Sequence, residues 1–184
     1  MDELIDIVSK SGDFTGRTAL KSEAHKNGWY HNTIHLWMYT ANEQILLQQR
    51  SHKKSIYPLL WDVSVAGHIN AGESFSDAAI RETQEEIGLS LDQESLQKMG
   101  VYLHESIYND GLIKDFEFHH VYLSELKVNL EQLHPDPNEV EALKLVDFKT
   151  FQNLLNHSEE NSHFVTANAN YYRDVLEAIK RSIA

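Results

Sequence analysis

The sequence predicts an α/β sandwich, and three observations support that fold class. Runs of β-branched and aromatic residues, separated by turn signals, indicate several strands in the first 150 residues. One amphipathic helix interrupts these strands, and helical periodicity returns at the end of the chain. With 184 residues and 41% apolar composition, the chain is long enough to form one domain around its own core.

The strands come first in the chain and are bounded by polar or glycine-containing turns. We predict them at residues 3–8, 14–18, 29–40, 44–50, 61–66, 99–107, 116–126 and 141–146. The turn at residues 108–111 (YNDG) joins two of these strands into a hairpin. A basic loop at residues 51–57 and a loop containing Pro135 and Pro137 separate others, and the order of the strands in a sheet does not follow from the sequence.

Four helices complete the prediction. The first covers residues 18–25 and lies in an N-terminal extension, residues 1–28, which we expect to pack on the rest of the domain. The second begins near residue 76, with Ser74 or Ser76 as its cap, and the third follows Asp147 at residues 149–156. The last spans residues 166–183, with a buried face formed by Tyr171, Val175, Leu176 and Ile179.

Composition excludes several classes of function. The formal net charge of −12 gives no electrostatic attraction toward nucleic-acid backbones or anionic membranes. Without cysteine the chain has no disulfide, thiolate nucleophile or cysteine-ligated zinc site. No stretch of about 18 apolar residues predicts a membrane span, and the N-terminus MDELIDIV does not resemble a signal peptide. We therefore expect a cytoplasmic protein.

Three carboxylates on the second helix carry the clearest chemical signal. Glu82, Glu85 and Glu86 are spaced i, i+3 and i+4, which places them on one face of the helix. Such like charges repel one another, and a hard divalent cation that prefers oxygen ligands would relieve the repulsion. A solvated acidic face is the alternative explanation of the same pattern.

The surrounding residues resemble the Nudix box of the Nudix hydrolases, which here spans residues 67–89. The matching positions are Gly67, Glu73 and the run RETQEEIGL at residues 81–89. Within this run Thr83 stands in place of the usual aliphatic residue. The resemblance implies a mixed sheet between helices and a metal-dependent hydrolase of diphosphate bonds. It makes Glu82, Glu85 and Glu86 ligands of Mg²⁺ or Mn²⁺. It also makes Arg81 a structural partner of Glu73, and Gly67 and Gly88 structural glycines.

A narrower resemblance connects residues 31–71 with the isopentenyl-diphosphate isomerase branch of the superfamily. The residues that carry it are His31, the QRS run at 49–51, Lys53 and Lys54, PxxW at 58–61, SVAGH at 64–68 and, later, DFE at 115–117. Asp115 and Glu117 alternate on a strand and so share a face. Together with His25, His31 and His68 they would form a second metal site, suited to Zn²⁺ or Mn²⁺. Ala66 stands where the isomerase has a cysteine, so isomerisation is not expected.

Each of these side chains also has an ordinary structural explanation. The histidines could cap or hydrogen-bond the N-terminal segment, and Asp115 and Glu117 could form a solvated strand face. His35, His119 and His120 are interpreted as structural. Arg50, Lys53 and Lys54 could bind a substrate phosphate, although a solvated loop explains the two lysines equally well.

The predicted function is metal-dependent hydrolysis of a diphosphate linkage in a small molecule of the nucleoside-diphosphate-X type. A box glutamate, Glu85 or Glu86, or else Glu139, would accept the proton from water. One alternative is hydrolysis of a prenyl diphosphate, and another is a module that binds a diphosphate ligand without cleaving it. The substrate is not determined by the sequence, and a homodimer is left open because many relatives dimerise.

Overall fold

A computed structural model of the protein describes residues 2–158, 160–161 and 169–183. The strands are β1 (Leu4–Val8), β2 (Phe14–Leu20), β3 (His31–Thr40), β4 (Gln44–Arg50), β5 (Trp61–Asp62), β6 (Val65–His68), β7 (Gln97–Tyr108), β8 (Ile113–Glu125) and β9 (Val140–Asp147). The helices are α1 (Lys21–Asn27), α2 (Phe75–Ile87), α3 (Phe148–Asn156) and α4 (Ala169–Ile183).

Strand β3 is the centre of one large mixed sheet. One of its edges pairs in parallel with β8 over the whole length from His31 to Tyr39. Its other edge meets three strands in succession, namely β1 at His31, β6 from Thr33 to Leu36, and β4 at Tyr39 and Thr40. Strands β4, β5 and β9 form an antiparallel group that touches β3 only at its end, so the sheet divides beyond that point.

Helices cover both faces of this sheet, which confirms the predicted α/β sandwich. On one face, Ala78, Ala79 and Ile87 of α2 pack against Ile34 and Leu36. On the other face, α3 and α4 pack against Trp37 and other buried side chains. The candidate site lies where the sheet divides between these two layers.

The predicted single strand at residues 61–66 is wrong, because the structure has two short strands there. Strand β5 pairs with β4, whereas β6 pairs with β3, and Ser64 lies between them. The Ser64 hydroxyl donates to the carbonyl of Leu46 at 2.6 Å and accepts from the amide of Met38 at 2.8 Å. A buried side chain thereby replaces the ladder hydrogen bonds that are lost where the sheet divides.

The N-terminal segment joins the sheet through β1, which pairs with β2 and meets β3 at Ile7 and His31. Ile5, Ile7, Ala19 and Ala24 form a small separate core against Trp29. The first helix begins at Lys21 rather than at residue 18, because Thr18 and Ala19 still pair with β1. It ends at Gly28, whose φ of 68° closes the helix in the left-handed conformation.

The remaining elements follow the predictions closely. The β7–β8 hairpin forms, with a short 3₁₀ turn at Asn109–Gly111. Asp147 caps α3 by accepting from the Thr150 amide, and Tyr171, Val175, Leu176 and Ile179 are all buried. The predicted start of the last helix at residue 166, and most of the loop before it, lie outside the described residues. Among those described, no helix is both long and apolar enough to cross a membrane.

Candidate metal and catalytic site

Local sequence signals fix both ends of α2, the helix that carries the three glutamates. Ser74 is the N-cap, and its hydroxyl accepts from the Asp77 amide at 3.2 Å. At the other end Gly88 ends the helix with a φ of 69°, and the backbone of His134 packs closely against it. A Cβ on Gly88 would lie 2.9 Å from the His134 carbonyl oxygen, so both backbone conformation and packing require glycine there.

The three glutamates do not have equivalent surroundings. Glu82 and Glu86 are buried, whereas the Glu85 side chain is 59% exposed. Burial, with a smaller contribution from the charges of Glu3 and Glu85, raises the pKa of Glu82 to about 7, even though Arg81 opposes the shift. Burial and the neighbouring charge of Glu82 raise the pKa of Glu86 to about 8. The helix therefore holds two buried carboxyl groups whose ionised forms need a cation.

Gly67 allows Glu82 to approach β6 closely. A Cβ at position 67 would lie 2.0 Å from the Glu82 carboxyl carbon, a distance that no pair of unbonded atoms can adopt. The φ of Gly67 is not in the left-handed region, so the requirement for glycine is entirely one of space. The carboxylate of Glu82 occupies the volume that a side chain would fill.

Arg81 holds the loop before the helix, as predicted, and does more. Its guanidinium pairs with Glu73 through two nitrogen–oxygen contacts of 2.8 Å each, and it also donates to the His68 carbonyl. The same side chain contacts Glu82 at 2.7 Å and Glu85 at 3.1 Å. Arginine therefore relieves part of the repulsion between the box glutamates, and their spacing is not by itself proof of a metal.

Glu86 lies at the division of the sheet and is held from both sides. Its Oε2 accepts from the Gln48 side chain on β4 and from the Ala66 amide on β6, each at 3.2 Å. The loop at residues 134–139 hydrogen-bonds to the end of the helix, with His134 donating to the Ile87 carbonyl and Asp136 to the Glu86 carbonyl. Glu139 is brought near Glu86 by that loop.

A second cluster lies beside the box. It brings together four of the five residues of the predicted second metal site. His31 on β3 and Glu117 on β8 are paired across the parallel ladder, His68 comes from β6, and His25 comes from α1. The His25 Nε2 atom lies 3.2 Å from His31 Nε2 and 3.4 Å from His68 Nε2. Glu117 Oε1 lies 3.5, 3.3 and 3.4 Å from the Nε2 atoms of His25, His31 and His68, respectively.

These distances match the edges of a coordination tetrahedron. Ligand atoms placed 2.0–2.1 Å from a zinc ion are separated from one another by about 3.3–3.4 Å. A single ring nitrogen has one proton or one lone pair, so His25 Nε2 cannot form hydrogen bonds to all its neighbours at once. Three imidazoles and a carboxylate with this spacing therefore fit a divalent cation.

Neighbouring groups prepare the cluster for that role. The Nδ1 atom of His31 lies 2.9 Å from the Trp29 carbonyl, which only accepts, so the ring donates there and keeps its Nε2 lone pair free toward the cluster. Burial lowers the pKa of His68 to about 4, which keeps that ring neutral. Burial by itself would raise the pKa of Glu117, but the three histidines around its carboxylate hold it well below its usual value.

Asp115 stands at the edge of this cluster rather than in its tetrahedron. Its Oδ1 lies 3.4 Å from His25 Nε2. Burial and the adjacent charge of Glu117 raise the pKa of Asp115 to about 9, so it faces the cluster as a neutral acid when no cation is bound. Asp115 is therefore a neighbour of the four side chains that could hold a metal ion, and is not one of them.

The match with known proteins decides the family. The NUDIX domain model matches residues 29–167. The chain belongs to the Nudix family. Nudix enzymes hydrolyse pyrophosphate bonds and generally use divalent metal ions.

Relatives of this Nudix chain include both hydrolases and isomerases. It is 37% identical over 172 residues to Nudix hydrolase 3 of Arabidopsis thaliana. The aligned region covers 92% of this chain but only 22% of that longer protein. It is 29% identical over 163 residues to an isopentenyl-diphosphate Delta-isomerase of Cutibacterium acnes, covering 83% of this chain and 78% of the isomerase. The similarity to the isomerase branch is thus confirmed.

The Nudix fold is also supported by solved structures. A crystal structure of a protein from Deinococcus radiodurans superposes with a TM-score of 0.69 at 19% identity, covering 97% of this chain and 98% of that one. At this identity the similarity concerns the fold alone.

The basic residues proposed for phosphate are engaged with protein groups in this Nudix chain. Arg50 pairs with Asp62 at 3.1 Å, Lys53 donates to the Asn138 side chain at 2.6 Å, and Lys54 forms an ion pair with Glu139. A phosphate at this loop would have to compete with these carboxylates and the amide.

Sequence reasoning missed two histidines beside the imidazole cluster. His119 has the structural contact expected of it, since its Nδ1 lies 2.8 Å from the Thr33 hydroxyl, but the same atom lies 3.4 Å from Glu117 Oε2 and the ring stacks on His35 at 4.0 Å. His104, which was not singled out, lies opposite Glu117 across the β7–β8 ladder and 3.8 Å from Asp115. Alternation along β8 is the signal that would have found His119, because it shares a face with Asp115 and Glu117.

Proposed function

We propose that this Nudix chain is a divalent-metal-dependent hydrolase that cleaves the diphosphate linkage of a small molecule, such as a nucleoside diphosphate joined to a second group. The observation that carries the proposal is the buried pair Glu82 and Glu86, whose raised pKa values mark two carboxylates in need of a cation. Family membership and the complete set of box glutamates support the same conclusion.

The box residues would hold the cation and its surroundings. Glu82 and Glu86, with Glu85 at the exposed rim, supply oxygen ligands suited to Mg²⁺ or Mn²⁺. A cation bound there would neutralise the phosphates and lower the pKa of a coordinated water. Arg81 keeps the loop and the ligands in place through Glu73, while Gln48 and the Ala66 amide fix the orientation of Glu86.

Proton transfer from the attacking water would fall to a carboxylate at the rim. Glu85 is the exposed glutamate of the box, and Glu139 lies on the loop fastened to the end of α2. Because Glu139 pairs with Lys54, proton acceptance by Glu139 requires that this ion pair open or pass to the substrate. The imidazole cluster would hold a second cation, for which Zn²⁺ or Mn²⁺ suits the mixed nitrogen and oxygen ligands.

A prenyl diphosphate is the second candidate substrate. It is favoured by the assembled cluster of His25, His31, His68 and Glu117 and by the isomerase relatives. Ala66 contributes only its backbone amide to the site, so the cysteine chemistry of the isomerase is not available and we expect hydrolysis. A binding module without turnover is the candidate from another class, and it would not need three box glutamates.

The first experiment is release of phosphate from a panel of diphosphates, with Mg²⁺, with Mn²⁺ and with chelator. The panel should contain nucleoside triphosphates, nucleotide sugars, dinucleotides and prenyl diphosphates. We expect metal-dependent release from one class. Ligand binding without release in any class would instead support the binding module.

Glu85→Gln tests the assignment of the box. This variant removes one ligand charge at an exposed position, so we expect turnover to fall by about 100-fold or more while the melting temperature stays near that of the wild type. Glu94→Gln is the matched control, because Glu94 is an exposed glutamate on the short turn that follows the box and is not one of its three clustered glutamates. Near-normal turnover of Glu85→Gln would remove the metal-site assignment.

A further inference from the structure

The side chain of Gln48 presents an unusual combination of burial and an unused polar atom. It lies on β4, is only 4% exposed, and its amide nitrogen donates to Glu86 Oε2. Its carbonyl oxygen Oε1 is buried and has no hydrogen-bond partner among the described residues. A buried carbonyl without a partner costs free energy, so its position calls for an explanation.

The position of Gln48 shows where this oxygen lies relative to the box. The two ends of one amide are about 2.3 Å apart, so an amide whose nitrogen touches Glu86 keeps its oxygen beside the same carboxylate. Glu86 itself lies between β4 and β6, at the division of the sheet. Across the β4–β5 ladder Gln48 is paired with Asp62, which is itself engaged by Arg50 and by the Val63 amide.

Among the residues that the structure describes, none donates a hydrogen bond to Gln48 Oε1. Two donors on the neighbouring elements are already used, the Ala66 amide by Glu86 and the Arg50 guanidinium by Asp62. A donor that comes with the ligand of the box would satisfy it. A water molecule in the coordination shell of a divalent cation is such a donor, because the ion polarises its O–H bonds.

We propose that Gln48 is a positioning residue for the box cation, with its N–H fixing Glu86 and its Oε1 accepting a hydrogen bond from a cation-bound water. This inference rests on the proposed function and extends it from the helix to β4. The cation site is then closed from the strand side by an uncharged residue, which orients a water without adding to the negative charge of the three glutamates.

The test compares Gln48→Met, which keeps the volume but removes both polar atoms, with Gln49→Met. Gln49 is the matched control because its side chain leaves the opposite face of β4 and donates to the Leu59 carbonyl. Binding of Mn²⁺ is measured by electron paramagnetic resonance after one equivalent of Zn²⁺ has been added, since zinc is expected to occupy the imidazole cluster.

We expect Gln48→Met to weaken Mn²⁺ binding by about 5- to 20-fold and to lower kcat by about 10- to 100-fold, with KM changed by less than about threefold. Without metal, its melting temperature should stay within about 3 °C of the wild type, because the unpartnered oxygen is removed together with the donor. Gln49→Met should leave both Mn²⁺ affinity and kcat unchanged.

Two outcomes would overturn the inference. Wild-type Mn²⁺ affinity and kcat in Gln48→Met would show that the oxygen is not used, and a large loss of metal-free stability would show that Gln48 acts only in folding. Failure of the proposed function has a different signature, namely no metal-dependent release by the wild type, and in that case the Mn²⁺ measurement still tests Gln48 on its own.

Discussion

The imidazole cluster and the Nudix box lie side by side, but they are built in different ways. The cluster takes one ligand from each of β3, β6, β8 and α1, and its atoms already have tetrahedral spacing. The box takes its three glutamates from a single helix, and Arg81 contacts two of them. The first site is assembled by strand pairing, whereas the second depends on helix periodicity.

The two sites also differ in how their negative charge is compensated when no cation is bound. In the cluster the rings of His25, His31 and His68 surround a single buried carboxylate, Glu117, at nitrogen–oxygen distances of 3.3–3.5 Å. In the box, Arg81 compensates part of the negative charge through its contact with Glu82, and the raised pKa of Glu86 lowers the charge that remains. We therefore expect the cluster to favour imidazole-binding metals and the box to favour hard cations.

The largest expected effect comes from removing one corner of the tetrahedron. His31→Gln should weaken Zn²⁺ binding by at least about 100-fold, because His31 is fully buried and its lone pair is directed by the Trp29 carbonyl. Mn²⁺ binding at the box should change by less than about threefold. Competition with a chromophoric chelator measures the zinc affinity.

His157→Gln is the control for this prediction, since His157 is an exposed histidine at the end of α3. Equal loss of zinc and box-manganese binding in His31→Gln would show that the two sites act as one. Such a result would contradict the separation drawn above.

A smaller effect is expected from Gly67→Ala, which acts on the box alone. The added methyl group would overlap the Glu82 carboxyl, and relief of that overlap should cost about 2 kcal/mol of unfolding free energy and displace one ligand of the box. Zinc binding by the cluster should persist, because His68 remains in β6. Denaturant unfolding and metal titration of the same variant measure both quantities.

Gly100→Ala provides the comparison, because a Cβ on Gly100 would make only an ordinary contact of 3.6 Å with Tyr102. If Gly67→Ala were as stable as Gly100→Ala and bound Mn²⁺ normally, the close approach of Glu82 to β6 would not be a requirement of the box.

The smallest effect concerns a histidine that belongs to neither site. His120 stacks on Phe75 and contacts Asn32, and burial lowers its pKa from 6.5 to about 4. The unfolded chain therefore takes up the proton first as the pH falls, so the stability that neutral His120 provides above pH 6.5 is lost progressively toward pH 4. Between pH 7 and pH 5 this amounts to at most about 2 kcal/mol.

In His120→Gln the loss of unfolding free energy between pH 7 and pH 5 should therefore be smaller than in the wild type. Urea denaturation at the two pH values measures it. An unchanged loss would assign the acid sensitivity to other buried histidines, such as His35, whose pKa burial also lowers to about 4.

Much of the fold and of the box followed from local patterns in the sequence. The caps Ser74 and Gly88, the β7–β8 hairpin and the Arg81–Glu73 pair all depend on residues close together in the chain or on a fixed motif. The metal roles of the glutamates, of Glu139 and of the histidines remain predictions, although the structure brings most of these side chains together.

What the sequence did not reveal depends on strand pairing. The break at Ser64 arises because β5 and β6 choose different partners, and no local signal specifies those partners. The contact between Gln48 and Glu86 joins residues on separate elements and requires the division of the sheet. The unequal exposure of Glu82, Glu85 and Glu86 likewise depends on what packs against α2, not on the spacing along it.

The place of His25 in the imidazole cluster determines where the protein can be truncated for experiments. His25 lies on α1, before the first residue of the family match at position 29, yet its ring nitrogen lies within 3.2–3.5 Å of the other three corner atoms. A protein shortened to begin at residue 29 would lack His25, and the cluster would keep only three of its four side chains. A shortened protein used to measure zinc binding must therefore keep β1, β2 and α1.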